Sequence, residues 1–319
     1  MIFICPSFRH RIRPGDTGRR FGAARSAEPG IHLDPARKAK WIPAFAGMAA
    51  LLLAAASSAA ADKRINISAD VPITLDTPLQ QGQLVIAHAP PGTRIEFDGR
   101  KLRTSADGTF VFGLGRDAPP VANLTVYDSS GRKRLLPLPV EQRSYPTERV
   151  NGLPQQTVTP NPDVLARIRR EQATVQAART RDDAREDFRH GFALPVQGAR
   201  ISGVYGSQRI DNGIPKAPHM GLDMAVPAGT PIHAPADGIV TFAAPDLFLT
   251  GGTVLLDHGY GLDSSFLHMS QIKVKIGDHI KRGQVIGLAG MTGRATGPHV
   301  HWGFNWFNVR LDPALLPKP

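Results

Sequence analysis

Glycine and proline interrupt this chain so often that long helices and long unbroken strands have little room. There are 32 Gly and 28 Pro in 319 residues, with aromatics at only 7%. Such a chain folds as short strands joined by tight turns, because Gly supplies left-handed φ and Pro cannot donate to a ladder. The length allows one large or two ordinary domains around a real core. With 41% hydrophobic and 20% charged residues, a fibrous or disordered chain is excluded. The expected class is mainly β.

The formal charge is +11, from 38 basic and 27 acidic residues. Spread over one surface it would point to nucleic acid, but it is unevenly placed. Nine of the basic residues (Arg9, Arg11, Arg13, Arg19, Arg20, Arg25, Arg37, Lys38, Lys40) and three acids (Asp16, Glu28, Asp34) precede residue 62; without them the charge is +5. No nucleic-acid partner is expected. Residues 1–61 read as a targeting segment: a basic stretch ending at Lys40, an apolar run from Met48 to Ala56, then Ser57 to Ala61 before polar Asp62, Lys63 and Arg64. That order is a secretory signal with an Ala-x-Ala site, cut near Ala61. The apolar run is shorter than the ~20 residues a span needs, so a bacterial periplasmic or secreted chain without a stable membrane span is expected. Residues 1–36 show no pattern of their own and suggest a start assigned too early. The only cysteine, Cys5, lies there, so the mature chain has no disulfide, thiolate metal site or Cys nucleophile.

From 69 to 139, alternating runs such as Leu84–Ala87, Arg94–Phe97 and Asn123–Tyr127 recur between turn signals, with Asp98-Gly99 a strong two-residue hairpin. This predicts a small immunoglobulin-like β-sandwich. His88 stands alone there and carries no visible chemistry. Residues 140–191 read as a Pro-rich linker and a charged connecting helix with a solvated face and salt-bridged neighbours, capped by Asn161 with Pro162 in the first turn and running toward Phe188, with Gly191 as the stop. From 192 to 316 the sequence is Gly-rich and β-like.

Histidine concentrates in that last region. Of 11 in the chain, seven (His219, His233, His258, His268, His279, His299, His301) fall between 219 and 301, where even scatter predicts about three. His299-Val300-His301 follows a Gly297-Pro298 turn, and strand alternation puts both imidazoles on one face. His219 and Asp223 stand four apart, but Pro218, Gly221, Pro227 and Gly229 favour a loop and strand start over a helix. His268 lies on a third strand-like run. Three such groups as ligands with others left over is the pattern of a catalytic zinc site, where one coordination position must stay open.

Taken with their flanks, His219-x-x-x-Asp223, Phe266 to Ser270 and Gly297 to His301 resemble, in order and spacing, the lysostaphin/LytM-type zinc metallopeptidases. The framework from Gly203 to Arg209, Pro227 to Ile232, Ala234 to Val240 and Val274 to Gly287 matches as well, over about 192–316. The resemblance implies a compact β-sheet peptidase domain of the barrel-sandwich hybrid type and one Zn2+ per chain held by His219, Asp223 and His301. It maps the two further histidines to His268 and His299, beside the water that zinc activates. His299 is the preferred base and His268 the group that orients water or steadies the oxyanion, although the roles are exchangeable. His258 is expected to be structural, His233 and His279 exposed, and Asn305 a candidate for the groove wall. The implied function is a murein endopeptidase acting on peptidoglycan peptide stems and cross-links, with any further envelope partner unspecified. The alternative is a non-catalytic regulator that binds and activates cell-wall amidases; such relatives lack parts of the metal set, whereas all five groups are present here.

Overall fold

The computed structural model describes residues 65–66 and 71–319, apart from Ser129. Residues 1–61, read above as a targeting segment, lie outside the described residues. Among those described, no helix is long and apolar enough to cross a membrane.

The first part is two antiparallel four-stranded sheets. One runs Ile65–Asn66, Thr74–Leu75, Leu84–His88, Thr109–Gly113 in spatial order; the other runs Arg100–Lys101, Arg94–Phe97, Val121–Tyr127, Lys133–Pro139. The chain changes sheet after His88 and returns after Lys101, which is immunoglobulin-type connectivity. At the Asp98-Gly99 turn both residues have positive φ, 48° and 74°, and Phe97 faces Arg100. That is the turn whose twist suits a two-residue hairpin. Val85, Phe110 and Phe112 on one sheet meet Phe97 and Leu124 on the other, the Phe97 and Phe112 rings 4.4 Å apart.

The second part is built on an eight-stranded sheet. Its order is Arg200–Gly203, Leu222–Ala225, His299–Trp306, Leu262–Met269, Gly251–Asp257, Gly238–Leu247, His279–Ile280, with Val309–Leu311 also pairing His299–Trp306. Every residue of Gly251–Asp257 is buried, as expected of a strand covered on both faces. A smaller sheet of Pro231–His233, Val285–Leu288 and Gln271–Ile272 completes the region.

The stretch between the two parts is ordered rather than a free spacer. Thr147–Val150 pairs in parallel with Gln208–Asp211. The Pro162–Ala178 helix begins as its sequence requires, the Asn161 side chain accepting from Val164 N at 2.9 Å. It ends at Ala178, short of Phe188. Beyond it Arg179 pairs with buried Asp263 at 3.3 Å, Arg181 with Asp257 at 3.2 Å, and Arg185 with Asp257 and Asp187. The charges that made the segment look like a solvated helix are instead drawn onto the sheet. Phe188 is buried in a separate short turn, its ring 5.2 Å from that of Tyr260.

The sandwich and the C-terminal sheet share one hydrophobic cluster. Phe97 meets Trp306 at 6.1 Å between rings. Asp312 N donates to Gly82 O at 2.8 Å, and Arg143 pairs with Asp312 at 2.9 Å.

Candidate metal centre

Three neighbouring strands put the key side chains on one face. Asp223 on Leu222–Ala225 lies directly across from His301, and Ala225 across from His299. Two residues apart on one strand, His299 and His301 point the same way. His219 enters from the turn before Leu222, where Gly221 is needed: a Cβ there would come 2.5 Å from His301 Nε2. Gly203 plays the same part on the other side, since its Cβ would meet Asp223 Oδ2 at 2.5 Å.

His268 arrives by a different device. Leu267 is the residue opposite His301, so plain alternation would turn His268 away from the site. The register with Gly251–Asp257 shifts between Gly252, opposite Met269, and Val254, opposite Phe266. Leu267 and His268 therefore share one partner position in a β-bulge, and His268 has φ +64°. A bulge re-aims a side chain; here it swings the His268 ring to within 4.7 Å of the His299 ring.

His219 Nε2, His301 Nδ1 and Asp223 Oδ1 form a triangle with edges of 2.9, 2.8 and 3.0 Å. His219 Nδ1 lies 3.0 Å from the Val204 carbonyl. A carbonyl only accepts, so it takes the Nδ1–H, and the neutral ring presents a lone pair at Nε2. The same logic holds for His268, whose Nδ1 is 2.8 Å from Thr292 O, and for His299, whose Nδ1 is 2.8 Å from Gly297 O. Electron-rich atoms converging at such distances call for a cation among them, and these three are the group among the described residues able to hold a metal ion.

Burial pushes the His268 imidazole down to about 3, helped by His299 and His301, and burial lowers His301 to about 4 against the pull of Asp223. Burial alone would raise the Asp223 carboxyl, but its contacts with His219 and His301 hold it well below the usual carboxylate range. His268 and His301 are thus neutral imidazoles beside one carboxylate. Arg209 Nη2 donates to the other oxygen, Asp223 Oδ2, at 3.0 Å. Nothing in the local sequence marks Arg209 as the partner of Asp223.

A cleft of about 370 Å³ opens over His268, His299 and His301, with Glu148, Val150 and Leu153 of the connecting stretch on its rim. A second recess continues past His219 along the Pro162–Ala178 helix. The remaining histidines lie elsewhere. His258 is fully buried between Asp237 O at 2.7 Å and Ser264 Oγ at 2.9 Å; His279 is exposed and His233 half-buried. His88 is not alone: it pairs with Asp76 at 2.7 Å. Asn305 does not line the groove, being fully buried and bonded to Asp263 at 2.7 Å and Arg310 at 2.8 Å.

This fold and donor set define a metallopeptidase. Residues 217–313 match Peptidase family M23. The structure is similar to that of a peptidase M23 from Pseudomonas aeruginosa, with 32% identity and a TM-score of 0.56 over 74% of this chain and 93% of that one. The chain belongs to peptidase family M23. It is 45% identical over 86 residues to the peptidoglycan DD-endopeptidase ShyA of Vibrio cholerae, covering 27% of this chain and 20% of that protein. An uncharacterized metalloprotease of Haemophilus influenzae is 37% identical over 150 residues, 46% of this chain and 32% of its own length. The chain thus spans only about a fifth to a third of these two curated relatives.

Proposed function

We propose that the chain is an exported, zinc-dependent endopeptidase that hydrolyses peptide cross-links of peptidoglycan in the bacterial cell envelope. The observation that carries this is the convergence of His219, Asp223 and His301, with His268 and His299 beside them, where Asp223 and the last three of these imidazoles line a cleft and His219 lines the recess next to it. His219, Asp223 and His301 would hold one Zn2+. Two nitrogens and one oxygen leave a tetrahedral ion an open position, the mark of a catalytic rather than structural site. A zinc ion there supplies Lewis acidity, polarising a scissile carbonyl and making water easier to deprotonate.

The rest is work for the chain's own groups. His299 turns Nε2 toward the triangle, 3.9 Å from Asp223 Oδ1, with Nδ1–H fixed on Gly297 O. It is placed to accept a proton from attacking water and return it to the departing amine. His268, equally fixed by Thr292 O, keeps a bare Nε2 that accepts from water and so orients it. Arg209 holds Asp223 in the orientation that leaves Oδ1 free for the ion.

Residues 69–139 and 140–191 form accessory elements to the 192–316 peptidase domain, and residues 1–61 direct export. Isolated sacculi incubated with residues 62–319 and zinc should release muropeptides whose masses show cut cross-links. Sacculi left intact would refute the activity. Envelope protein whose N-terminal sequence began at Met1 or Met48 would refute cleavage at Ala61.

A further inference from the structure

The charges in the smaller half of the cleft are matched with one exception. Arg209 faces Asp223 at 3.0 Å and Glu148 at 3.8 Å, and Arg294 pairs with Asp211 at 3.0 Å. Arg200 also lines this cleft and is exposed, yet among the described residues it makes no ion pair or side-chain hydrogen bond. Its position is set by the sheet: Arg200 lies opposite Ala225, and Ala225 opposite His299. Residues directly opposite across strands share a face, so Arg200 and His299 stand on one row, two strand spacings or about 10 Å apart at the backbone.

We infer that Arg200 is a specificity-determining residue that binds a free carboxylate of the substrate peptide. The guanidinium fork fits a carboxylate through two parallel hydrogen bonds. A peptide advances about 3.4 Å per residue, so the carboxylate recognised lies within about three residues of the bond cut. The preferred substrates are peptides with an unamidated carboxylate near the scissile amide. Arg209 and Arg294 do not serve this purpose, their charges being committed to carboxylates of the chain itself.

The inference rests on the peptidase assignment, and its test separates the two. Binding and cleavage are measured in parallel on the zinc-loaded chain with two synthetic peptide dimers linked through a D-alanyl amide. They are identical except that the carboxylate beside that amide is free in one and a carboxamide in the other. The wild-type chain should bind the free acid about tenfold more tightly, by calorimetry. Arg200→Gln should weaken the acid to the level of the amide, Arg200→Lys should retain part of the difference, and Lys273→Gln, an exposed charge outside the cleft, should change neither. Equal affinity of the wild-type chain for the two dimers, or discrimination that survives in Arg200→Gln, overturns the role of Arg200. Discrimination in binding without cleavage of either dimer supports Arg200 and counts against the endopeptidase reading alone.

Discussion

His299→Ala and His301→Ala alter neighbours on one strand face and should fail in different ways. His301 Nδ1 is 2.9 Å from His219 Nε2 and 2.8 Å from Asp223 Oδ1, so its loss removes one of three donor atoms. Losing even an outer hydrogen-bond partner of a metal ligand costs about 10–100-fold in affinity, and losing the ligand costs more. Zinc affinity should therefore fall more than ~100-fold in His301→Ala, with activity following. His299 stands outside the triangle. Its replacement gives up the hydrogen bond to Gly297 O and the ring contact with His268, together about 1–2 kcal/mol of stability. The donors remain, so zinc should stay near one per chain while hydrolysis drops ~100-fold or more, about 2.7 kcal/mol in the barrier. The assay is zinc per chain by mass spectrometry of metals after equilibration with a chelator-buffered solution, beside kcat/KM on a cross-linked peptide. An empty His299→Ala with a loaded His301→Ala would reverse the assignment. Two loaded, active variants would end the case for a metal mechanism at this motif.

Arg209→Met should leave the fold intact but weaken zinc binding about 10–100-fold, because Asp223 loses the guanidinium that fixes Oδ2; unchanged affinity would exclude the positioning role. Burial holds His258 down at about 4 from 6.5. Its folded pKa lies below the unfolded value, so as pH falls the unfolded chain protonates first. Stability then declines between about 6.5 and 4, by up to about 3 kcal/mol. Urea midpoints of wild type and His258→Gln at pH 7 and 4.5 should show a smaller drop in the variant, and parallel drops would refute the assignment. At φ +64° a side chain costs about 1 kcal/mol relative to Gly, so His268→Gly should be more stable than His268→Ala by about that amount, with both poorly active. Equal melting temperatures would mean that the bulge is unstrained.

What could be read in the sequence was whatever depends on neighbours along the chain. The His299 and His301 pair is a matter of period two, the Asn161 cap of a side chain reaching three residues ahead, and the Asp98-Gly99 turn of two residues that tolerate positive φ. The face on which His268 emerges depends on one extra residue relative to a partner strand, and no local pattern reveals that register shift. Arg209 meets Asp223 through the fold rather than through spacing. The Arg179, Arg181 and Arg185 run looked like a solvated helix because its carboxylate partners, Asp257 and Asp263, lie about 80 residues further along. The same limitation made Asn305, next to the histidine strand, look like a groove residue.

The strand that carries His299 and His301 is made after both of its neighbours, Leu222–Ala225 and Leu262–Met269, yet it sits between them in the sheet. Until it arrives, the sheet is two separate halves, each with an open edge and neither with a complete set of site residues. Pairing this late strand between two earlier ones is a long-range event, and such events slow folding. A chain emerging from a ribosome or threading through an export channel would therefore remain catalytically silent until roughly residue 306 had emerged and found its slot. If the chain cuts the wall of the cell that makes it, as proposed above, the order of synthesis would itself act as a delay on activity.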